Sequence, residues 1–406
     1  MQLDDYRKIK QRAARRLLRV PGINAVGLGG RIVGGRPTGD VAIKVFVTRK
    51  RPASEVPPDE LVPASIEGVP TDVVELGRVR RATGVPGVTR PSGKLADFKE
   101  YSPLRGGISV ATEGKQGFAT LGCLLVDPND SSGVYALTNH HVVTVDGKLS
   151  LSRQVAHPST TNSTFDEASS IGIVAAGIDD GIRDAAIVRL ATGGEWLPLI
   201  EEIGWVRGTH DVTLDEMRTE QYQVRKRGTK TGLTGGVVVG YDVETAVEGS
   251  ITKGNLIIRP NADPADPEEV TFFSFEGDSG SAVVNEANEV VGLFYATDHD
   301  EAAGTIGQGI VTPIATVLRA FKDHDHLDLQ VAVPKNANPT EQNEVRSVDA
   351  PVGSPHMGGP EEIARGDHAQ YRPLTGGAQI LAAPMLGPVN STTLGCMVTE
   401  VADSQK

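Results

Sequence analysis

Glu276-Gly277-Asp278-Ser279-Gly280-Ser281-Ala282-Val283-Val284 sets a serine in a glycine-flanked turn that runs directly into an apolar strand. A serine hydroxyl is a weak nucleophile at neutral pH and needs a neighbouring base to take its proton. Two upstream stretches offer the missing groups. Tyr135-Ala136-Leu137-Thr138-Asn139-His140-His141-Val142-Val143 is a strand running into a histidine pair, and Arg183-Asp184-Ala185-Ala186-Ile187-Val188 is an acid entering a strand. A histidine base must keep one tautomer, which a carboxylate on its other ring nitrogen enforces. The glycines let the chain turn sharply, so that backbone N–H groups face a developing oxyanion. Each such donor is worth about 3–4 kcal/mol in the transition state.

Around these stretches, short apolar runs recur between turn residues: 119–126, 134–138, 187–190, 236–241, 256–259, 281–284 and 290–296. That spacing predicts an all-β barrel or sandwich over residues 101–329, closed by a helix at 313–321. Residues 1–80 read as a small α+β domain. Leu3, Tyr6, Ile9, Ala13 and Leu17 fall at helical spacing, and strands are expected at 24–33, 40–47 and 71–76. The basic helix reads as packed on a small sheet with its charges solvated. Residues 81–100 and 330–370 read as linkers. Residues 371–406 look like a partial repeat, because Tyr101-Ser102-Pro103-Leu104-Arg105-Gly106-Gly107 returns as Tyr371-Arg372-Pro373-Leu374-Thr375-Gly376-Gly377, and Thr120-Leu121-Gly122-Cys123 as Thr393-Leu394-Gly395-Cys396. The repeat is expected either to mark a truncated tandem protein or to pair residues 371–400 with a neighbouring barrel.

The 406 residues are 39% hydrophobic and 23% charged, which fits a globular protein with a core. With 47 glycines and 25 prolines, many short strands fit better than long helices. A net charge of −12 argues against nucleic acid or an anionic membrane as the partner. Two cysteines, with no apolar leader in the first 20 residues and no apolar run of membrane-spanning length, give the expectation of a soluble, cytoplasmic protein. No cofactor and no metal are expected. His324-Asp325-His326 and Asp298-His299-Asp300 carry ligand-type residues without ligand spacing, and read as solvated turns. Gly27-Leu28-Gly29-Gly30 is followed by no helix and is not a dinucleotide motif.

The three stretches, in this order, resemble the trypsin/chymotrypsin family of serine proteases. The intervals of 43 residues from His141 to Asp184 and 95 from Asp184 to Ser279 compare with about 45 and about 93 in that family. The resemblance implies a double β-barrel with Ser279 as nucleophile, His141 rather than His140 as base, and Asp184 rather than Asp179 or Asp180 as acid. It places the oxyanion hole at the N–H groups of Gly277 and Ser279. It implies a specificity pocket based near Phe273 and walled by Tyr295, Ala296 and Thr297, with an apolar or small residue before the scissile bond. Gly277–Ser281, Gly292-Leu293-Phe294-Tyr295-Ala296 and Lys226-Arg227-Gly228-Thr229-Lys230-Thr231-Gly232-Leu233-Thr234 further resemble bacterial relatives of the plant Narrow Leaf 1 proteases. Gly39-Asp40-Val41-Ala42-Ile43 and Gly68-Val69-Pro70-Thr71-Asp72-Val73-Val74-Glu75 resemble a module that precedes them. That likeness implies a bacterial intracellular endopeptidase acting on protein or peptide, with a homo-oligomer left open.

Two other readings stand beside this one: a latent protease fold that binds extended peptides, and an esterase using the same three residues. Arg31-Ile32-Val33-Gly34-Gly35 resembles a zymogen cleavage site but also makes an ordinary hairpin, which is the reading taken. Asp278 then needs a partner other than a freed N-terminus, either His140 or an internal cation.

Overall fold

The long strand Gly232–Val247 organises the molecule. Successive side chains on a strand point to opposite faces. Val237 and Val239 accordingly enter one apolar cluster with Phe46 and Tyr295, while Val238 enters another with Phe273 and Phe294. Its first half pairs with Gln223–Gly228 through the register Gly228↔Gly232. Its far half pairs with Ile23–Val33, with Ala25 opposite Thr245 and Leu28 opposite Tyr241. One strand therefore joins the N-terminal region to the second half of the chain.

This computed structural model describes residues 1–82, 96–159, 165–261, 272–298 and 307–334. Among them the fold is mainly β, with two large sheets. In the larger sheet, Gln223–Gly228, Ala282–Asn285, Val290–Thr297, Gly309–Pro313, Ser250–Pro260 and Gly232–Val247 follow one another, and the last pairs back to the first, closing a barrel. The eight-stranded sheet runs Gln330–Val331, Leu124–Asp127, Asp130–Thr138, Asp184–Leu190, Ser170–Asp179, Gln154–Ala156, Ser109–Thr112 and Ala119–Thr120. A shared core joins the two. Leu125, Leu137 and Ile187 of the smaller sheet pack with Ala282, Val284 and Leu293 of the barrel, and helix Ile314–Asp325 contributes Ile314, Val317 and Phe321. Each such Val, Leu, Ile or Phe side chain, fully buried, contributes about 1.5–3 kcal/mol.

In the N-terminal region, helix Leu3–Leu17 lays Ile9, Ala13, Ala14 and Leu17 on strands Ile23–Val33 and Arg36–Val47. Val69–Glu75 runs parallel to the latter. The helix's charges are not all solvated. Lys10 is buried between Asp242 at 3.1 Å and Glu244 at 3.3 Å, which ties the helix to the long strand. Gly34 and Gly35, at φ of 57° and 77°, make the hairpin turn between Ile23–Val33 and Arg36–Val47. Gly27, Gly29 and Gly30 lie within the strand.

The stretch read as a linker from residue 81 begins inside a strand, since Arg80–Arg81 pairs with Val290–Thr297. Gln330–Val331 likewise pairs with Leu124–Asp127. The expected repeat at 371–406, with Cys396, lies outside the described residues. Cys123 is a buried free thiol whose pKa burial pushes up to about 12. No helix among the described residues is long and apolar enough to cross a membrane.

Candidate active site

Strand pairing brings the histidine and the acid together. Asp130–Thr138 runs antiparallel to Asp184–Leu190 with Thr138 opposite Ala186, so the chain leaves the first strand where the second begins. Asn139 fixes that exit by donating its side-chain amide to the Asp184 carbonyl at 2.6 Å. A single helical turn, His140–Val143, then presents His141. Thr112 Oγ1 donates to the Val142 carbonyl at 3.1 Å, and Lys115 Nζ bonds the carbonyls of His141 and Thr144.

His141 Nδ1 lies 2.6 Å from Asp184 Oδ2, and the His141 N–H donates to Asp184 Oδ1 at 3.0 Å. On its other side, His141 Nε2 lies 2.8 Å from Ser279 Oγ. All three residues are buried. Burial alone raises the Asp184 carboxyl pKa. The His141 ring, the Arg81 guanidinium and the backbone N–H outweigh it and hold Asp184 down to about 2. Asp184 therefore stays ionised against His141 Nδ1, and the ring turns Nε2 to the serine.

The neighbouring candidates go elsewhere. Asp180 caps its own turn and pairs with Arg183, and Asp179 pairs with Arg81 at 2.7 Å. His140 sits beside Asp179, with Nδ1 3.8 Å from its carboxylate, and beside Thr144. Partial burial lowers the His140 pKa, although Asp184 and Asp179 oppose it. His140 does not reach Asp278, which corrects that expectation. The internal cation is Lys226. Its Nζ lies 2.9 Å from Asp278 Oδ2, both side chains are wholly buried, and the Phe273 and Phe294 rings flank the ammonium. Asp278 also accepts from the N–H groups of Lys230, Thr231 and Phe275 and from Thr231 Oγ1. The strand Gln223–Gly228 thus pins the serine turn from within the barrel. Sequence reading missed Lys226 in this role, because a run of basic residues ordinarily marks a solvated face.

Two glycines in the turn are required by their surroundings. Gly277 has φ +107°, and a Cβ there would stand 2.4 Å from Phe118. Gly280 has φ +94°, and a Cβ would meet the Thr120 carbonyl at 2.1 Å. The turn aims the Gly277 and Ser279 N–H groups at one carbonyl oxygen, that of Ala82, at 2.6 and 3.4 Å. A segment assigned to a linker from sequence thus supplies the carbonyl that these two N–H groups meet.

Of the residues expected to form a pocket, Phe273 is fully buried, edge-on to Phe294, and shares an apolar cluster with Ala82. Tyr295 acts through its backbone, its carbonyl accepting from Ala82 N–H at 3.1 Å. Its phenol turns into the neighbouring core, where it bonds Thr252 at 2.9 Å. Ala296 and Thr297 pair with Arg81 and Arg80. Asp298 is not in a solvated turn. It is buried, accepts the Gly77 and Gln308 N–H groups at 2.9 and 2.6 Å, and has its pKa raised by burial. No cluster of three or more metal-ligating side chains occurs among the described residues.

No family model matches the sequence, and no curated protein matches it. The structure is similar to solved chymotrypsin-like serine proteases. Thermobifida fusca protease A is 18% identical, with a TM-score of 0.40 over 57% of this chain and 98% of that one. Nocardiopsis protease is 16% identical, TM-score 0.40, over 56% and 98%. Cellulomonas bogoriensis chymotrypsin is 18% identical, TM-score 0.39, over 57% and 98%. None of these likenesses supports the narrower relationship to the Narrow Leaf 1 proteases.

Proposed function

We propose that this protein is a serine endopeptidase that hydrolyses peptide bonds through an acyl-enzyme on Ser279. The observation that carries the reading is the continuous contact Asp184 Oδ2–His141 Nδ1 at 2.6 Å and His141 Nε2–Ser279 Oγ at 2.8 Å. In this reading Ser279 Oγ attacks the substrate carbonyl while its proton passes to His141 Nε2. Asp184 steadies the imidazolium, and the Gly277 and Ser279 N–H groups hold the oxyanion. The departing amine takes the proton from His141. Water then repeats the sequence against the acyl ester and frees Ser279.

The strand Val290–Thr297 beside the serine favours an extended peptide over a small ester, because its 296–297 end already pairs with an extended segment, Arg80–Arg81. The decisive assay is hydrolysis of an unstructured peptide library by the intact protein and by Ser279→Ala. Cleavage that vanishes in the variant supports the reading. Turnover confined to small acyl esters would replace the peptidase with an esterase.

One observation favours a second reading, a latent peptide-binding protease fold. The anion-binding corner already holds the Ala82 carbonyl of the same chain.

A further inference from the structure

Residues 80–82 lie in the cleft as a peptide would. Arg81 and Arg80 pair antiparallel with Ala296 and Thr297, and the Ala82 N–H donates to the Tyr295 carbonyl at 3.1 Å. The Ala82 carbonyl then turns between the Gly277 and Ser279 N–H groups. Its methyl is fully buried and shares the apolar cluster of Phe273 and Phe294. The two arginines are held as well. Arg81 meets Asp179 at 2.7 Å and Asp184 at 3.0 Å, and its N–H donates to Glu248 at 3.1 Å. Arg80 meets Glu276 at 2.9 Å. A chance crossing would not engage the backbone, the carbonyl, the methyl and both side-chain charges at once.

We propose that Arg80-Arg81-Ala82 is the protein's own substrate, cut within the same molecule at the Ala82–Thr83 bond. The same contacts define the substrate class: a small residue donates the carbonyl, and basic residues precede it. This rests on the serine endopeptidase reading. Ser279 Oγ bonds to the Ala82 carbonyl carbon and gives its proton to His141 Nε2. The Ala82–Thr83 C–N bond breaks, and the Thr83 amine leaves with that proton. One water hydrolyses the ester, leaving an Ala82 carboxylate and regenerating Ser279. Holding the carbonyl in place beforehand removes the entropy of bringing two molecules together, so the first turnover is favoured over any external substrate. After the cut, residues 1–82 remain attached, because Ile23–Val33 is paired to Gly232–Val247 inside the sheet. Native size does not change, and only denaturation separates the pieces.

The test follows the full chain from synthesis by denaturing mass spectrometry and N-terminal sequencing, beside Ser279→Ala, Ala82→Trp and Ala82→Ser. Each protein is also exposed to a fluorophosphonate probe until labelling is complete. The expected result is a piece ending at Ala82 and a piece beginning at Thr83, at a rate independent of protein concentration. Ser279→Ala stays whole even when mixed with intact protein. Ala82→Trp, too large for the buried methyl's place, is cut at least about tenfold more slowly. Ala82→Ser keeps the small size and is cut. A protein that takes the probe at Ser279 yet stays one chain, or is cut at another bond, overturns this proposal and leaves the endopeptidase reading standing. Absence of both labelling and cutting overturns the two together.

Discussion

Asp184 and Asp278 are both buried carboxylates close to Ser279, and their surroundings are built differently. Asp278 faces an ammonium, Lys226, in a region closed to solvent, where backbone N–H groups and Thr231 complete its shell. Asp184 faces an imidazole and, from outside, Arg81, a residue one third exposed and supplied by another part of the chain. The first arrangement anchors the serine turn to the inside of the barrel through an internal cation, with no freed N-terminus involved. The second leaves the histidine side open to whatever occupies the cleft. Rigidity and access are thus divided between two acids.

The largest expected effect removes what both acids serve. Ser279→Ala should lower kcat for peptide hydrolysis by about a million-fold while leaving the melting temperature near that of the intact protein. Asp184→Asn should reduce kcat by about ten-thousand-fold through the wrong histidine tautomer, with a smaller change in stability. Lys226→Met should behave in the opposite way. It strands the Asp278 charge in the core and should cost about 3–5 kcal/mol in chemical denaturation. Adding Asp278→Asn should return part of that loss. If Lys226→Met left stability unchanged, the division between the two acids would be wrong.

Acid titration sharpens the contrast at a smaller scale. Asp184 has a folded pKa of about 2, below its unfolded value of about 3.9, so its contribution is complete above about pH 4 and is lost as pH falls through 2. Asp184→Asn should flatten the loss of stability over that window, measured by denaturant midpoints at each pH. Arg81→Ala, at the partly exposed end, should change stability by only about 1 kcal/mol or less.

The parts legible in the sequence are those whose chemistry lies within a few neighbouring residues. Gly277–Gly280, His141 and Asp184 each announce a local geometry, and the structure brings them together. The strands at 130–138, 184–190 and 290–297 and the helices at 3–17 and 314–325 follow from short apolar runs and helical spacing. Ser170–Asp179 did not stand out, because Gly172 and Gly177 interrupt its apolar run. Lys226 and Arg80–Ala82 were illegible for another reason. Their roles depend on partners 52 residues away in one case and across the barrel cleft in the other. A basic run and a polar stretch look like solvated surface until the fold is known. A faint signal was present in Gly228, inside a strand, where a Cβ would stand 2.2 Å from Asp278 Oδ1. A glycine in such a place marks close approach by another group.

The most direct test of the central claim is the site of covalent capture by a fluorophosphonate probe, read by peptide mass spectrometry in the intact protein and in His141→Ala. The account predicts modification at Ser279 alone, lost in the variant. An unmodified Ser279 in the correctly folded protein, or equal modification without His141, would contradict it.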